Sequence, residues 1–585
     1  METTNDTPET SQKPSGWLKA LSLWARWLLI LSASVWVLVL GVWMGLHGLI
    51  VPRIDLLRPS LERLTTSALG VSVEIGVLEA RSDSLIPTFE AREVVFRNTA
   101  GEEILRLPRM VATLSPQSVA QLSFDQLYIE RPEFEIRRLA EGQWRFAGIP
   151  LQAGADSPLA DWFFSQTEFI VRQGKVHWQD AMVSAHAVTL EDIDLVVRNG
   201  LRSHTLRLDA TPPKAWGERF SLQGNFKQPL LSLHEGRWQD WSGQAFGQFG
   251  RLDLSAIHPH LNLPQGLTLA EGTGWLRVWA DIKQGALTGV TADADLQNLQ
   301  AQWEARIPAL KLRQLKGRLS SRPWGTGHEL TLRDLALVAE DGETWDAKSL
   351  RLAWAAAMDT QPAQGELQAD QLDLLALQRI GMRLPVPEDV RQALAIYQPK
   401  GQVNQLHAKW SGTWPALSQY SARAQLQNLS VKSVPDNAPA TWPRLPALEG
   451  LNAELDISPN QGKARLQFRE GQMSWPNLWE EPQLPLKDLS ADLQWQRKGD
   501  RWQVQITQGR FANTDMAGDF QLNWQSAESG TGPGVLDLTG NLNRLDARQV
   551  HRYLPLALNQ NIRHYVRSPS RKGRRTRCGC ASRAT

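Results

Sequence analysis

VSVEIGV, residues 71–77, sets Val71, Val73, Ile75 and Val77 in alternation with Ser72, Glu74 and Gly76. A period of two puts alternate side chains on one face of an extended backbone, so this stretch reads as a half-buried β-strand. The pattern returns at Leu105 and Leu107, Leu127 and Ile129, Phe134 and Ile136, Ile193 with Leu195 and Val197, and Leu206 with Leu208 and Ala210. Further along it recurs at Leu330 and Leu332, Leu335 with Leu337 and Ala339, Leu350 with Leu352 and Trp354, Leu493 and Trp495, Val504 and Ile506, and Leu522 and Trp524. The turn-rich stretches NTAGE, AEDGE and ESGTGPG separate these runs, as antiparallel meanders require. The expected fold class is mainly β, with a few short helices.

Each such strand has an apolar face that must be covered. Either a second sheet packs on it, as in a sandwich, or the sheet curls into a trough whose apolar lining holds a greasy ligand. Periodicity leaves both open. Helical segments are too scarce to do the covering. One is expected where Leu57, Leu61, Leu64 and Ala68 share a face, with Pro59 near the first turn and Gly70 as C-cap. Three more follow the related strings LDLSAI at Leu252, LDLLAL at Leu372 and LDARQV at Leu545, with Asp253, Asp373 and Asp546 placed to cap them. Their spacing, 120 and then 173 residues, hints at a repeated module without establishing one. Pro150 to Pro158, Pro435 to Pro446 and Pro476 to Pro485 are linker candidates.

N-terminal to the strands, the run WLLILSASVWVLVLGVWMGLHGLIV from Trp27 to Val51 contains no Asp, Glu, Lys or Arg. A bilayer core needs about 20 apolar residues, so this run can span it, through Trp27, Leu28, Leu31, Val35, Leu38, Val42 and Leu46 among others. It exceeds the roughly 7 to 15 residues of a signal-peptide core and no A-x-A-like site follows, so it reads as an uncleaved anchor. Flanking charge does not orient it, with Lys13, Lys19 and Arg26 before and Arg53, Arg58 and Arg63 after. The long β-body that follows argues for a cytoplasmic N-terminus and an exported body.

The formal charge of the 585-residue chain is +2, but Arg567 to Thr585 holds seven Arg or Lys and no acid; without them 56 basic residues face 61 acidic ones, a net −5. A mildly acidic body with interspersed charge lacks the footprint of nucleic-acid binding. Cys578 and Cys580 are the only cysteines, so the body holds no disulfide or thiolate metal site. His258 and His260 form the only close histidine pair, and His328–Glu329 lacks the second histidine of a zinc-protease helix, since Leu332 stands there. Glu340 with Asp341 and Glu480 with Glu481 read as solvated turn charges. No phosphate loop, nucleophile elbow or dinucleotide fingerprint occurs. The reading is non-catalytic, with no cofactor and no metal. Twenty-five Trp against five Tyr is unusual and fits either core packing or an apolar lining.

In their order, several segments resemble the AsmA-like proteins, specifically the YhdP branch. They are ALG at Ala68 followed by VSVEIG, PTFEAREVVF from Pro87, the LRLP strand at Leu105, TLSPQSV at Thr113, EGQWRFAGI from Glu141, WQDWSGQAFGQFGRLDL from Trp238, YQPKGQVNQLHAKWSG from Tyr397 and RYLPLAL from Arg552. The resemblance covers about residues 15 to 566. It implies a protein anchored in a bacterial inner membrane, with its body in the periplasm as an elongated, twisted antiparallel β-groove that begins like the chorein region of bridge-like lipid-transfer proteins. It also favours the trough over the sandwich. The function implied is conduction of phospholipid toward the outer membrane in support of outer-membrane integrity; the alternative is a non-catalytic scaffold or assembly factor for outer-membrane proteins. Phospholipid, the inner membrane and outer-membrane or periplasmic proteins are the partners implied.

On this reading the chain divides into a cytoplasmic segment 1–26, the anchor 27–51, an AsmA/chorein-like groove region 52–155, further groove regions 156–270, 271–445 and 446–566, and a basic, disordered tail 567–585. Groove candidates are Val73, Ile75, Leu105, Leu107, Leu127, Ile129, Phe134, Ile136, Leu195, Leu206, Leu208, Leu335 and Leu337. The tail RSPSRKGRRTRCGCASRAT departs from the family pattern and reads as the product of a frameshift or truncation, which would remove the distal part of the bridge; its basic run otherwise suits a phosphate or membrane surface.

Overall fold

The computed structural model describes residues 16–584, except 46–47, 49–50, 82–86, 116–117, 119–122, 152–157, 184–185, 233–235, 264–265, 359–360, 414–415, 435–445, 476–478, 528–533, 557–562, 564–578 and a few single positions. The chain is mainly β and mostly antiparallel, with few helices. It forms two compact units, residues 1–213 with 221–243, and 214–220 with 244–585.

Helix α1, Gly16–Gly45, contains the apolar span Leu23–Gly45, long enough to cross a membrane. Its described apolar side chains are largely uncovered: Trp27, Leu28, Leu31 and Leu38 are each about two-thirds exposed and Val35 half exposed. Leu46 and the side chain of Val42 lie outside the described residues. Helix α2, Ile54–Leu69, follows a short 3-10 turn. It lies along β1, Ser72–Arg81, and its side chains serve that strand's outer edge: Glu62 accepts from Ile75 N–H (2.9 Å), Thr66 accepts from Val73 N–H (3.1 Å), and Arg58 donates to Gly76 O (2.8 Å). Unpaired strand edges invite aggregation, and a covering helix removes that hazard. Leu61 on α2 is exposed, and the side chains of Leu57, Leu64 and Ala68 lie outside the description.

In the first unit β1 pairs with β2, Thr88–Arg97, and β2 with β3, Glu103–Thr113, all antiparallel. Two consecutive pieces, β4, Gln126–Glu130, and β5, Glu133–Arg138, then lie beside β8, Glu168–Asp180, in parallel. A parallel pair needs a crossover. Here it runs through β6, Trp144–Phe146, β7, Ile149–Leu151, and helix α3, Pro158–Ser165. This crossover is the parallel exception in an otherwise antiparallel order, and the antiparallel order is what the sequence leads one to expect. Strands β9, Val188–Asn199, and β10, Ser203–Thr211, restore the antiparallel order, and β11, Phe220–Lys227, follows. Phe163 of α3 packs on Phe169 (4.7 Å), and Phe164 packs on Trp241, which stacks flat on the buried His204 at 3.9 Å. Burial holds the His204 imidazole below its ordinary pKa despite its hydrogen bond to Gln228.

After β12, Ser242–Asp253, and a one-turn helix α4, Leu254–Ile257, the second unit is a plain meander. Its strands are β13, Thr268–Lys283; β14, Ala286–Gln302; β15, Leu310–Trp324; β16, Gly327–Ala339; β17, Thr344–Ala355; β18, Gln364–Asp373; and, after helices α5, Leu374–Gly381, and α6, Glu388–Tyr397, β19, Lys400–Thr413. It continues with β20, Ala416–Val431; β21, Ala447–Ile457; β22, Gln461–Ser474; β23, Gln483–Lys498; β24, Arg501–Ala512; β25, Met516–Gln525; and β26, Val535–Leu545. From β13 to β26 every strand pairs antiparallel with the next. Of the basic tail, β27, Gly579–Ala584, pairs with β26, and 567–578 lies outside the described residues. Asp253 and Asp373 cap α4 and α5 through the N–H groups of Ser255, Ala256 and Ala376, as their spacing predicts. Asp546 instead accepts from Arg548 N–H in a turn ahead of a short 3-10 helix.

One local device recurs in both units. Glu93, Asp192, Asn298, Asp334, Asn428 and Glu470 take left-handed φ near +50° within strands, Glu93 opposite Gly76 and the other five each beside a shift in register. All six are exposed. Opposite Asp334 stands Gly317, where a Cβ would meet Leu335 Cα at 3.0 Å. These are β-bulges, whose extra residue steps the alternation by one. Inward residues therefore sit three apart at Ala91 and Val94, Leu190 and Ile193, Leu296 and Leu299, Leu332 and Leu335, and Leu426 and Leu429, each pair bracketing two polar residues. The same step corrects the reading of β1: Val77 is 47% exposed, and Leu78 takes the buried place. Gly76 there, opposite Glu93, is the residue that shifts the phase.

Candidate functional site

The inward residues of neighbouring strands meet in register and form rows across each unit. In the first unit, Leu78, Ala91, Met110, Ile129, Val171, Leu195 and Leu208 are successive cross-strand partners. A second row runs Ala80, Phe89, Ala112, Leu127, Phe169, Val197 and Leu206. Val73 and Leu105 meet across Phe96, and Ile75 and Leu107 across Val94. The break at Arg131, φ +52°, steps the phase so that Phe134 and Ile136 pair with Val176 and Trp178, with the Phe134 ring tilted against Phe146 at 4.8 Å. The structure thus brings eleven of the sequence-named residues together in the first unit. Leu335 and Leu337 belong to the second, beside Ala347 and Trp345.

In the second unit one row crosses all fourteen strands from β13 to β26. It runs Ala280, Val290, Ser321, Leu330, Leu352, Leu367, Ala408, Ala422, Ile457, Gly462, Trp495, Val504, Trp524 and Leu536, with Ser321 the single polar member. At about 4.8 Å between strands, the row is roughly 60 Å long. Except for Gly462, which is buried, its members are half-buried, neither sealed beneath a second layer nor fully open. A parallel row from β18 to β26 is Leu372, Val403, Leu426, Ala453, Leu466, Ala491, Gly509, Phe520 and Gly540. Helices α4 and α5 touch this face through Leu254, Leu374, Ala376 and Ile380.

The Trp excess has a geometric use on this face. Gly365 pairs with Trp410, Gly462 with Trp495 and Gly509 with Phe520, and a Cβ on any of the three glycines would fall within 2.5 Å of the ring opposite. Each ring therefore lies down across its partner glycine, and the surface stays low and smooth. The alternation of Leu493 with Trp495 and of Leu522 with Trp524 places two tryptophans on the inward face but names no glycine opposite a ring. The available signal was the lone glycine inside a strand, which marks a close approach.

The opposite face is charged and internally paired. Arg318 bonds Asp293 through both nitrogens, Arg465 bridges Asp492 and Glu454, and Arg510 meets Asp519. Glu329 lies in strand β16 between Arg322 and Arg351, both at 2.7 Å, which accounts for the resemblance of His328–Glu329 to a zinc motif without a helix. Glu366 collects Arg351, Lys409 and His407. Burial works against its charge, but the hydrogen bonds from Arg351, Gln368 and Lys409 prevail and pull its pKa down to about 2. Among the described residues no group of three or more potential metal ligands gathers.

The family model described as YhdP protein matches residues 14–578. No curated protein and no solved structure matches the chain.

Proposed function

The chain belongs to the YhdP family, and from that premise we propose that it is a lipid-transfer protein, held in a bacterial inner membrane by α1, whose periplasmic body conducts phospholipid toward the outer membrane. The observation that carries this reading is the row of the second unit, contiguous across fourteen strands, apolar but for Ser321 and half-buried but for Gly462. Acyl chains laid on such a surface keep about 0.8 kcal/mol of favourable transfer per CH₂, while head groups stay in water. Sliding from strand to strand exchanges one apolar contact for the next, so no bond is made or broken and no catalytic group is called for. The rows themselves have no polarity, so direction of flux comes from outside them.

The test is photo-crosslinking of purified full-length protein, with the crosslinker placed in turn at Leu208, Leu352 and Val504 on the rows and at Arg318 and Arg465 on the charged face, followed by mass spectrometry of the adducts. Phospholipid adducts at the three row positions and none at the two arginines are expected. Lipid-free protein, or adducts of protein alone at the row positions, would overturn the conduit and leave the scaffold reading.

A further inference from the structure

The charged face of the second unit holds a concave region. Across β21 to β26 the strand ends enclose a cleft of about 670 Å³, within the roughly 300–1,000 Å³ of small-molecule sites. It is lined by carboxamides in two register rows, Gln496, Gln503 and Gln525 in one and Gln494, Gln505 and Asn523 in the other. Strand alternation puts these six on one face and turns Trp495, Val504 and Trp524, whose backbone lies between them, to the apolar face. The cleft is therefore distinct from the lipid surface and shares only its backbone.

The chemistry of the lining limits what it can take. Lys463 is its one cation, against Asp456 and Asp537, so it does not select an anion. Asp456 is engaged by Arg423 at 3.0 Å, and Asp537 lies on the far strand of the cleft, so no paired carboxylates await a metal. Of the apolar residues at the cleft, Val535 pairs with Gln525 and shares the phase of the amides, whereas Trp495, Val504 and Trp524 fall on the alternate phase. What remains is a grid of neutral amides, each with two N–H donors and one carbonyl acceptor. Gln496 spends one donor on Gln503 (3.1 Å), while Gln494, Gln505 and Asn523 have no side-chain hydrogen bond to any described residue. A ligand that matches them presents many groups that both donate and accept and carries no charge, which is the chemistry of sugar hydroxyls. We infer that this amide-lined cleft is a binding site for a neutral oligosaccharide. It sits on a rigid sheet, so the grid is held without ordering a loop.

The experiment uses full-length protein in lauryldimethylamine oxide, a detergent without a sugar head group, titrated with maltotetraose and separately with tetra-N-acetylchitotetraose. Saturation-transfer NMR and calorimetry read the binding. Saturable binding of at least one of them, with Kd of about 1 mM or tighter, is expected, together with loss of at least tenfold in affinity in the triple variant Gln494→Ala, Gln505→Ala, Asn523→Ala, tenfold being about 1.4 kcal/mol. All three side chains are exposed and on strands, so the variant retains its circular dichroism. The single variant Gln505→Glu, which keeps size and adds charge, is expected to weaken binding in the same direction. No saturable binding of either sugar, or equal binding by the wild type and the triple variant, would overturn the inference.

Discussion

Single residues on the apolar face set its smoothness, and glycine does as much there as tryptophan. Gly462 lets the Trp495 indole lie flat, its ring carbon 2.2 Å from where a Cβ would stand. Gly462→Val is expected to lift the ring, shift Trp emission and lower the thermal midpoint, at a cost of about 1–3 kcal/mol for overpacking. Tryptophan emission and a melting curve on the same sample check this. On the opposite face Glu366 behaves as an acid-sensitive fastener. Its folded pKa of about 2 lies below the 4.5 ordinary for a glutamate, so its contribution is present above the unfolded pKa and is lost as pH falls through the folded one. Melting curves between pH 6 and pH 2 are expected to show the wild type losing stability through this window, with a shallower loss in Glu366→Gln. Equal slopes would mean that the Arg351 and Lys409 contacts contribute nothing net.

Bulges are the feature that element-level reasoning has to add. A left-handed residue other than glycine costs roughly 1 kcal/mol, yet Asp334 and the other bulge residues named above accept it. The return is a phase step that keeps long strands apolar on one side: in β16, Leu330 and Leu332 precede the step, Leu335 and Leu337 follow it, and all four face the row side. Asp334→Gly is expected to raise the thermal midpoint by relieving the strained φ, and Asp334→Val to lower it, since a β-branched residue tolerates that conformation worst. If both variants melted below the wild type, the Asp334 side chain rather than its φ would be what matters. The bulges were legible in principle, because LEDI at 190–193, LRDL at 332–335 and LQNL at 296–299 and 426–429 each place two polar residues between apolar ones. Strict alternation treats such a string as the end of one strand and the start of another, and so reads Val77 as buried when it is exposed.

For the whole molecule, the proposed path works only if its row is continuous, since a sliding acyl chain meets every strand in turn. A charge in the row is costly to cover with hydrocarbon. Leu367→Glu, mid-row on β18, is therefore expected to reduce the phospholipid that co-purifies per mole of protein and to weaken the adduct at Leu352, its partner on β17, while leaving the first unit's adduct at Leu208 intact. Quantitative lipid mass spectrometry on the full-length variant reads this, and unchanged lipid content would show that lipid does not occupy the row.

Sequence alone determined the apolar span at the N-terminus, the β class and most of the inward positions, because hydropathy and a period of two are properties of neighbouring residues. Ile129, Leu195 and Leu208 were each named on local alternation and prove to share one row. Tertiary structure decided which strands became neighbours. Only pairing could place β4 and β5 parallel to β8, lay Trp495 on Gly462 from a strand some thirty residues away, and gather six amides into a cleft. The physical reason is that strand register joins residues through hydrogen bonds between distant segments, and periodicity within one segment carries no record of its partner.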